Sequence, residues 1–392
     1  MNTDHTIVNL IKTPGSKVSH FSMILGFGSR DERRTEQGAS HLFEHMVMRQ
    51  YHDKLRLIES VGGRFSAFTG YETIEFHCSV PSRYWRAIVE FLAELISVSN
   101  FDHGQVKSEV SIILDEIESS GLSSQEQFLS KFFAGHPLGR SIFGTPDTVS
   151  AIMGFQLREF VSSHIATAPI ALSVAGDIDI DEIGAICKVS FEKLVHPTFR
   201  KQRRHPFKFK AAFSIDESDP ESDTVETILG VIVPGRFTPG YWAFILVYTL
   251  IGSDFLPESV SFGLRSKFSI YKAYTEHIEF EELGVLFIYF ESSRALCDKA
   301  IEEMKQRFHT LSEGFTQEQL SRAKAQLIGQ IQIGLDDIEE TNVRVAFDLI
   351  NFGHPLEVET IVNQIDQVTV NKVNELCRQY LDWKNVCLLK TS

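Results

Sequence analysis

The stretch GHPLGRSIFGTPDTVSAIMGFQLREFVSSHI, residues 135–165, has a counterpart later in the chain. The counterpart, GHPLEVETIVNQIDQVTVNKVNELCRQYLDW at residues 353–383, begins 218 positions later (353 − 135). Each copy contains an Asp-x-Val and a helix-period segment, followed by a short apolar stretch, APIALSVAG or KNVCLLK, that predicts a strand. Self-similarity at about half the chain length predicts two related domains.

We therefore divide the 392 residues into two homologous domains. The first spans residues 1–199, the second spans residues 215–392, and the basic segment RKQRRHPFKFK lies in a linker at 200–214. In each half, predicted strands such as HFSMILGFGS and LGVLFIYFESS are grouped with longer helix-period segments. This grouping favours an α+β fold, in which each domain has a mainly antiparallel sheet with helices packed on one face.

Composition and charge exclude several classes of protein. The formal net charge of −14 argues against a nucleic-acid partner, because such binding depends on Lys and Arg that neutralise phosphate. No apolar run is long enough for a membrane helix, and the first residues lack the order of a signal peptide, so we expect a cytoplasmic protein without a membrane partner. Five scattered cysteines without C-x-x-C spacing predict small core residues rather than disulfides or a thiolate metal site.

The segment GASHLFEHMVMR, residues 38–49, carries His41, Glu44 and His45. Their i, i+3 and i, i+4 spacing places the three side chains on one face of a helix that is predicted to begin near Ser40. Two interpretations stay open from this segment alone. One is a metal site, and the other is a pair of hydrogen-bonded core histidines with Glu44 paired to a base.

A catalytic zinc ion normally takes three protein ligands, so a zinc site requires one more residue. The apolar helix predicted in KSEVSIILDEIESS, residues 107–120, carries Glu109 and Glu116 two turns apart on one face. A solvated acidic face is the alternative interpretation. Asp115 and Glu118 fit that alternative better than Glu109 and Glu116 do.

The order of these motifs resembles the pitrilysin (M16) family of zinc metallopeptidases. Four motifs follow one another as in that family: H-x-x-E-H, E-x6-E, GHPLGRSIFGTPDTV and ALSVAGDID. The likeness continues in the second half of the chain, through TQEQLSRAKAQLIGQ and NFGHPLEVETIVNQI. The length is similar to that of the two-domain members, such as the subunits of mitochondrial processing peptidase. The resemblance implies a zinc-dependent endopeptidase that cleaves peptides or unfolded segments in an enclosed chamber, as a homodimer or with a related subunit.

Carried over by position, the resemblance implies roles for individual residues. His41, His45 and Glu116 correspond to the zinc ligands, Glu44 corresponds to the general base, and Glu109 corresponds to a supporting acid. The chemistry agrees, because two neutral imidazoles and one carboxylate leave Zn²⁺ a net positive charge that polarises a carbonyl. Glu44 can then take a proton from water and deliver it to the leaving amine.

Further residues correspond to substrate-binding positions of the family. Three residues of one predicted strand would pair with the backbone of an extended substrate: Ser66, Ala67 and Phe68. The family commonly has Asn-Ala where this chain has Ser66-Ala67. In the second domain, Arg265 and Tyr271 correspond to residues that bind substrate and stabilise the oxyanion. Tyr271 lies six residues after Arg265 rather than the usual seven, so Tyr274 is the alternative tyrosine.

A second hypothesis belongs to a different class of protein. The chain would then be an interaction subunit that keeps the fold, while a partner supplies or completes the chemistry. Relatives of that kind usually lose zinc ligands, whereas this chain carries the complete set. The sequence therefore favours the peptidase.

Overall fold

The computed structural model describes residues 6–97, 101–191, 212–253 and 256–392. The chain forms two compact units. Unit 1 contains Met1–Lys201 and Gly334–Leu356, and unit 2 contains Gln202–Ile333 and Glu357–Ser392. Within the predicted linker at 200–214, the basic segment 200–210 lies outside the described residues.

Each unit is built on one five-stranded sheet. The strands of unit 1 are β1 (Thr6–Lys12), β2 (Val18–Leu25), β3 (Arg64–Thr69), β4 (Ile74–Pro81) and β5 (Ile170–Gly176). The strands of unit 2 are β6 (Ser214–Asp216), β7 (Thr224–Val233), β8 (Ala273–Glu279), β9 (Gly284–Ser293) and β10 (Cys387–Thr391). The strand order is β1-β5-β2-β4-β3 in the first sheet and β6-β10-β7-β9-β8 in the second.

The two sheets have the same topology, which agrees with two homologous α+β domains. The first neighbours in each order, β1 with β5 and β6 with β10, are parallel. The other pairs are antiparallel. The strands predicted from APIALSVAG and KNVCLLK are β5 and β10, so the duplicated sequence segments end in equivalent strands.

Helices pack against both sheets. Unit 1 contains α1 (Ala39–Gln50), α2 (His52–Ser60), α3 (Trp85–Ile96), α4 (His103–Ser120), α5 (Ser124–Phe132), α6 (Pro146–Ala151), α7 (Gly154–Ile165), α8 (Ile180–Phe191) and α13 (Ile338–Phe352). Unit 2 contains α9 (Tyr241–Ile251), α10 (Val260–Phe268), α11 (Arg294–Glu313), α12 (Gln317–Gly334), α14 (Val358–Asp366) and α15 (Val370–Tyr380). None of the helices in the described ranges has the length and apolar character needed to cross a membrane.

The core of unit 1 lies between one face of the sheet and the helices packed on it. Phe21, Met23 and Leu25 alternate along β2 and are fully buried in this core, together with apolar residues of α1, α3, α7 and α8. Successive residues of a strand point to opposite faces, so Ile24 lies on the other face of the sheet. That face also excludes water, because Ile24 is 0% exposed.

Helix α13 covers part of this second face, in addition to the helices predicted on the first. Ala346 and Leu349 of α13 pack against Ile24. Asn342, which is fully buried, donates a hydrogen bond from its side-chain nitrogen to Ser22 Oγ at 3.0 Å. The helix is therefore held to the first sheet by both apolar packing and a buried polar contact.

This packing corrects one predicted boundary. The second domain was predicted to span residues 215–392, but residues 334–356 belong to unit 1. The physical reason is that Ala346 and Leu349 of α13 pack with Ile24 of the first sheet. Chain order alone does not indicate this, because a helix-period pattern does not specify the surface on which the helix packs.

All five cysteines are buried free thiols, as predicted. Burial raises the pKa of Cys78, Cys187 and Cys377 to about 12, and that of Cys387 to about 11. A thiol with so high a pKa is protonated at neutral pH and is a poor nucleophile.

The glycine that precedes α1 is under a tight steric limit. Gly38 has φ +93°, and a Cβ there would lie 2.7 Å from the carbonyl oxygen of Phe143 and from Cγ2 of Val149. Gly62 has a similar φ of +80°, but a Cβ added to Gly62 would have no atom within 4 Å. We predict that Gly38→Ala lowers the free energy of unfolding by about 2–4 kcal/mol, through backbone strain and overpacking. Gly62→Ala should cost only about 1–2 kcal/mol, through backbone strain alone.

Chemical denaturation of the two variants side by side measures this difference. Equal losses for Gly38→Ala and Gly62→Ala would show that the contact with Phe143 and Val149 does not restrict the start of α1.

Candidate metal centre

Helix α1 is capped by a carboxylate from outside the helix. Glu32 accepts hydrogen bonds from the backbone N–H of Gly38 at 2.9 Å and of Ser40 at 2.7 Å. Burial raises the pKa of Glu32 to about 7, although both hydrogen bonds oppose that shift. Gly38 has no side chain with which to cap the helix, so Glu32 takes the place of an N-cap residue. This cap fixes the first turn of α1, immediately before His41.

One face of α1 is polar and the other is packed in the core. His41, Glu44 and His45 project from the polar face with side-chain exposures of 11%, 17% and 16%. The core face consists of fully buried apolar residues: Leu42, Phe43, Met46 and Val47. Because these residues hold the helix in one rotation, the three polar side chains are directed to one place.

Helix α4 presents two carboxylates to that place. Asp102 caps the helix by accepting a hydrogen bond from the Gln105 N–H at 2.9 Å. Glu109 and Glu116 both reach the histidines of α1, and their side chains are 8% and 37% exposed. Asp115 and Glu118 are exposed, as the sequence favours. Two acidic residues of α4, Asp115 and Glu118, therefore face solvent, and the other two, Glu109 and Glu116, face the histidines of α1.

The three predicted ligands lie together. Oε2 of Glu116 is 3.2 Å from Nε2 of His41 and 3.6 Å from Nε2 of His45. One ligand atom from each residue lies within 4.8 Å of the other two. Bond lengths of about 2.0–2.1 Å in tetrahedral zinc sites give roughly 3.3 Å between neighbouring ligand atoms. The two distances from Glu116 lie on either side of this value, so the donor set suits a zinc ion.

The electrostatics of the site also favour a cation. Burial would lower the pKa of His41, but hydrogen bonds and charges from Glu44 and Glu116 outweigh burial and raise it. The same two carboxylates would stabilise a metal ion between α1 and α4. Two imidazoles and one carboxylate are a donor set that zinc commonly takes in catalytic sites.

Glu44 lies beside the ligand set. Its Oε2 is 3.7 Å from Nδ1 of His41 and accepts a hydrogen bond from Oγ1 of Thr69 at 2.6 Å. Burial would raise the pKa of Glu44, but the contacts with His41 and Thr69 lower it. The carboxylate is therefore ionised at neutral pH, which a general base requires.

Glu109 bridges two residues of α1. Its Oε2 lies 3.2 Å from Nδ1 of His45, and its Oε1 accepts a hydrogen bond from Nη1 of Arg49 at 2.5 Å. An Nδ1–H that donates to this carboxylate leaves Nε2 of His45 free to face Glu116. Glu109 thus contacts His45 as the prediction requires, and its role as a supporting acid stays a prediction.

A cleft of about 420 Å³ opens beside the site. His41 and Glu44 line one part of it, and Phe68 and Thr69 at the end of β3 line another. The ring of Phe143, which also lines the cleft, meets the His41 ring edge-on at 4.8 Å between centroids. The cleft is therefore bounded by His41, Glu44, Phe143 and the end of β3.

The predicted substrate-binding residues lie on the edge strand of the first sheet. Strand β3 ends the strand order and pairs with β4, and no strand in the described ranges pairs with its other side. The side chain of Phe68 is 55% exposed. The backbone of residues 66–68 thus presents a free edge next to the cleft.

Two family models match the sequence. Residues 7–146 match the model described as "Insulinase (Peptidase family M16)", and residues 155–327 match "Peptidase M16 inactive domain". The chain belongs to peptidase family M16. Relatives of similar length carry the name uncharacterized zinc protease.

One such relative of this M16 protein is from Mycobacterium leprae. It is 27% identical over 386 residues, which cover 94% of this chain and 86% of the relative. Another is the uncharacterized zinc protease YmxG of Bacillus subtilis, with 24% identity over 91% of this chain and 88% of the relative. Both alignments span the two domains.

Solved structures share the fold. A putative M16-like peptidase from Alicyclobacillus acidocaldarius superimposes with a TM-score of 0.81 and 16% identity, covering 99% of this chain and 96% of the other. A protease from Helicobacter pylori gives a TM-score of 0.79 and 16% identity, with the same two coverages. The M16 fold therefore extends over both units.

The second M16 domain has no counterparts of His41, Glu44 and His45 on the equivalent helix. Helix α9 begins directly after Gly240, whose φ of +96° matches that of Gly38 before α1. Aligning the two glycines places buried apolar residues at the positions of His41, Glu44 and His45: Ala243, Leu246 and Val247. This replacement agrees with the description of the matched model as an inactive domain.

Unit 2 brings Arg265 and Tyr271 together. The guanidinium carbon of Arg265, on α10, lies 6.0 Å from the ring centre of Tyr271, and Tyr271 is 71% exposed. Tyr274, on β8, stacks on Tyr289 with 5.0 Å between ring centres. Tyr274 therefore has a strand-packing contact, and Tyr271 is the better candidate for a partner of Arg265. The action of either tyrosine on a substrate stays a prediction.

Three residues that hold the site were not predicted from the sequence. Arg49 follows His45 by four positions, and this helical spacing could have indicated it. Thr69 directly follows the substrate-strand residues 66–68. Glu32 lies six positions before Gly38, and no local pattern links it to the start of α1.

The hydrogen bond from Thr69 to Glu44 can be tested by removing the hydroxyl. Thr69→Val keeps the shape but removes the donor to Glu44, and a hydrogen bond to a charged group contributes about 1.5–3 kcal/mol. We expect kcat for peptide cleavage to fall roughly 10- to 100-fold without loss of zinc, and Thr69→Ser to retain most activity. Steady-state kinetics with metal analysis measures both. Cleavage by Thr69→Val at the parent rate would show that Glu44 does not depend on this hydroxyl.

Proposed function

We propose that this M16 protein is a zinc-dependent endopeptidase that cleaves peptides or unfolded polypeptide segments. The observation that carries the proposal is the convergence of His41, His45 and Glu116 beside an ionised Glu44 and a cleft. A bound zinc ion would act as a Lewis acid on the scissile carbonyl. The names of the relatives support zinc as the metal.

Glu44 would perform the proton transfers. Its Oε2 is held by Thr69, which leaves Oε1 able to accept a proton from the attacking water. The protonated carboxyl can then donate to the nitrogen of the leaving amine. Its location one helical turn from His41 and next to His45 keeps it close to the metal ligands through both transfers.

The free edge of β3 would bind substrate as an additional strand. Ser66, Ala67 and Phe68 offer backbone groups for this pairing, which requires an extended segment. A folded protein presents few such segments, so peptides and unfolded chains are the expected substrates. The contact between Thr69 and Glu44 connects this edge directly to the base.

The second domain would contribute Arg265 and Tyr271. A guanidinium and a phenol near the reacting carbonyl would stabilise the negative charge that develops on its oxygen. Cleavage would take place in an enclosed chamber, and the protein would act as a homodimer or with a related subunit. Mass measurement of the purified chain, alone and co-expressed with related chains, tests the assembly.

The alternative function is an interaction subunit in which a partner supplies the chemistry. The loss of ligands on α9 resembles such a role but concerns only the second domain. The complete ligand set on α1 and α4 favours the enzyme. The experiment on Glu44 separates the two functions.

Glu44→Gln tests the proposed function. The amide keeps the shape of the side chain but cannot accept the water proton, so we expect parent-like zinc content and a loss of peptide cleavage of at least about 10²-fold. Chelation should abolish parent cleavage, and added zinc should restore it. Purified parent protein without stoichiometric zinc, or Glu44→Gln with the parent cleavage rate, would reject the enzyme and favour the interaction subunit.

Arg265→Ala tests the contribution of the second domain. Oxyanion donors act mainly in the transition state, so kcat should fall by about 10²-fold or more while zinc content and melting temperature stay at parent values. Tyr271→Phe and Tyr274→Phe, assayed in parallel, identify the second donor, and we expect Tyr271→Phe to be the slower. Unchanged turnover for Arg265→Ala would remove the second domain from the catalytic step.

A further inference from the structure

We infer that Arg49 is a positioning residue for the metal site. It holds the carboxylate of Glu109, and Glu109 in turn orients the ring of His45 toward the metal. The inference rests on the zinc site of the proposed function. It adds a residue outside the H-x-x-E-H and E-x6-E motifs.

The carboxylate of Glu109 uses one oxygen for each partner. Oε2 lies 3.2 Å from His45 Nδ1, and Oε1 lies 2.5 Å from Arg49 Nη1. The same nitrogen of Arg49 lies 3.2 Å from Oγ of Ser108 and donates to it. The guanidinium is therefore anchored to two adjacent residues of α4. Rotation of the Glu109 carboxylate would break at least one of its two contacts.

Helical geometry explains why a single carboxylate can reach both partners. His45 and Arg49 are four residues apart on α1, so their side chains lie on the same face one turn apart. Glu109 comes from α4 and spans that turn. By accepting the Nδ1–H of His45, it directs Nε2 of the same ring toward Glu116, 3.6 Å away.

Burial makes the pairing of Glu109 necessary. Its side chain is only 8% exposed, and a buried carboxylate without partners is strongly disfavoured. Among the described residues, the groups that form ion pairs with Glu109 are His45 and Arg49. Arginine is always charged, whereas a metal-binding imidazole must be neutral. Arg49 therefore supplies the permanent positive charge that keeps Glu109 in place once a metal binds.

Removal of Arg49 has two effects of opposite sign on zinc affinity. Its positive charge repels Zn²⁺ through space, so loss of the charge alone would strengthen binding. Loss of the contact with Glu109 would weaken binding, because groups that hydrogen-bond to metal ligands typically contribute 10- to 100-fold in affinity. The contact is direct, while the Arg49 side chain is 37% exposed and its through-space effect is screened by salt. We expect the weakening to dominate.

The test measures zinc affinity directly, by competition with a chromophoric chelator at fixed pH and ionic strength. Arg49→Met keeps an unbranched stem but removes the donors, and it should bind zinc about 10-fold more weakly than the parent. Arg56→Met, at an exposed position on α2, removes the same charge away from the site and should bind as the parent does. Thermal melting of the metal-free proteins verifies folding, and Arg49→Gln replaces Arg49→Met if the latter unfolds.

A double variant determines whether Arg49 acts through Glu109. Glu109→Gln should weaken zinc binding, and adding Arg49→Met to Glu109→Gln should produce little further loss, because both changes remove one linked interaction. The visible spectrum of the Co²⁺ form should change in Arg49→Met and not in Arg56→Met, since it reports ligand geometry. A parent protein that does not bind zinc would reject the proposed function. A parent that binds zinc would overturn the role of Arg49 if Arg49→Met bound equally or more tightly, or if the double variant showed additive losses.

Discussion

The packing of α1 against α4 is the constraint on which the site depends. It brings Glu116 to His41 across 75 positions of sequence and Glu109 to His45 across 64. Three carboxylates and two imidazoles share this largely buried place with the guanidinium of Arg49, which pairs with Glu109. Among the described residues, Glu44 and Glu116 form ion pairs there only with imidazoles, and burial penalises their charges unless a further cation binds. Apolar burial offsets part of this cost, at about 1.5–3 kcal/mol for each large side chain of α1 that enters the core. A metal ion would supply the missing positive charge and would also stabilise the fold by mass action.

The two domains show how one architecture serves two purposes. Both sheets have the same strand order, and both helices, α1 and α9, begin after a glycine with a left-handed backbone. The steric requirement at the start of the helix is thus shared, whereas the residues on the face that follows are not. In α1 that face carries His41, Glu44 and His45, and in α9 it carries buried apolar residues. Retention of the backbone and replacement of the face explain how a duplicated domain can keep its fold without a second metal site.

The second face of the first sheet is partly polar. Ser22 has Ser173 and His77 as cross-strand neighbours, and Ser66 follows on the edge strand, so one row of the sheet is polar from β5 to β3. Asn342 of α13 donates to Ser22 within this row, and apolar residues of the same helix pack on Ile24 beside it. The covering helix therefore combines polar and apolar contacts to match the surface beneath it. This match explains why α13 belongs to the first unit although it comes late in the chain.

Local pattern in the sequence was sufficient to place helices α1 and α4 and the two strands that follow the duplicated segments, and to put His41, Glu44 and His45 on one face of α1. Spacing of 3.6 or 2 residues reflects backbone geometry, and backbone geometry is local. The tertiary structure alone decided which surface α13 covers, that Glu32 caps α1, and that Arg49 and Thr69 hold Glu109 and Glu44. These contacts depend on the rotation and separation of helices and strands far apart in sequence. Rotation and separation follow from the packing of whole apolar faces rather than from any short segment.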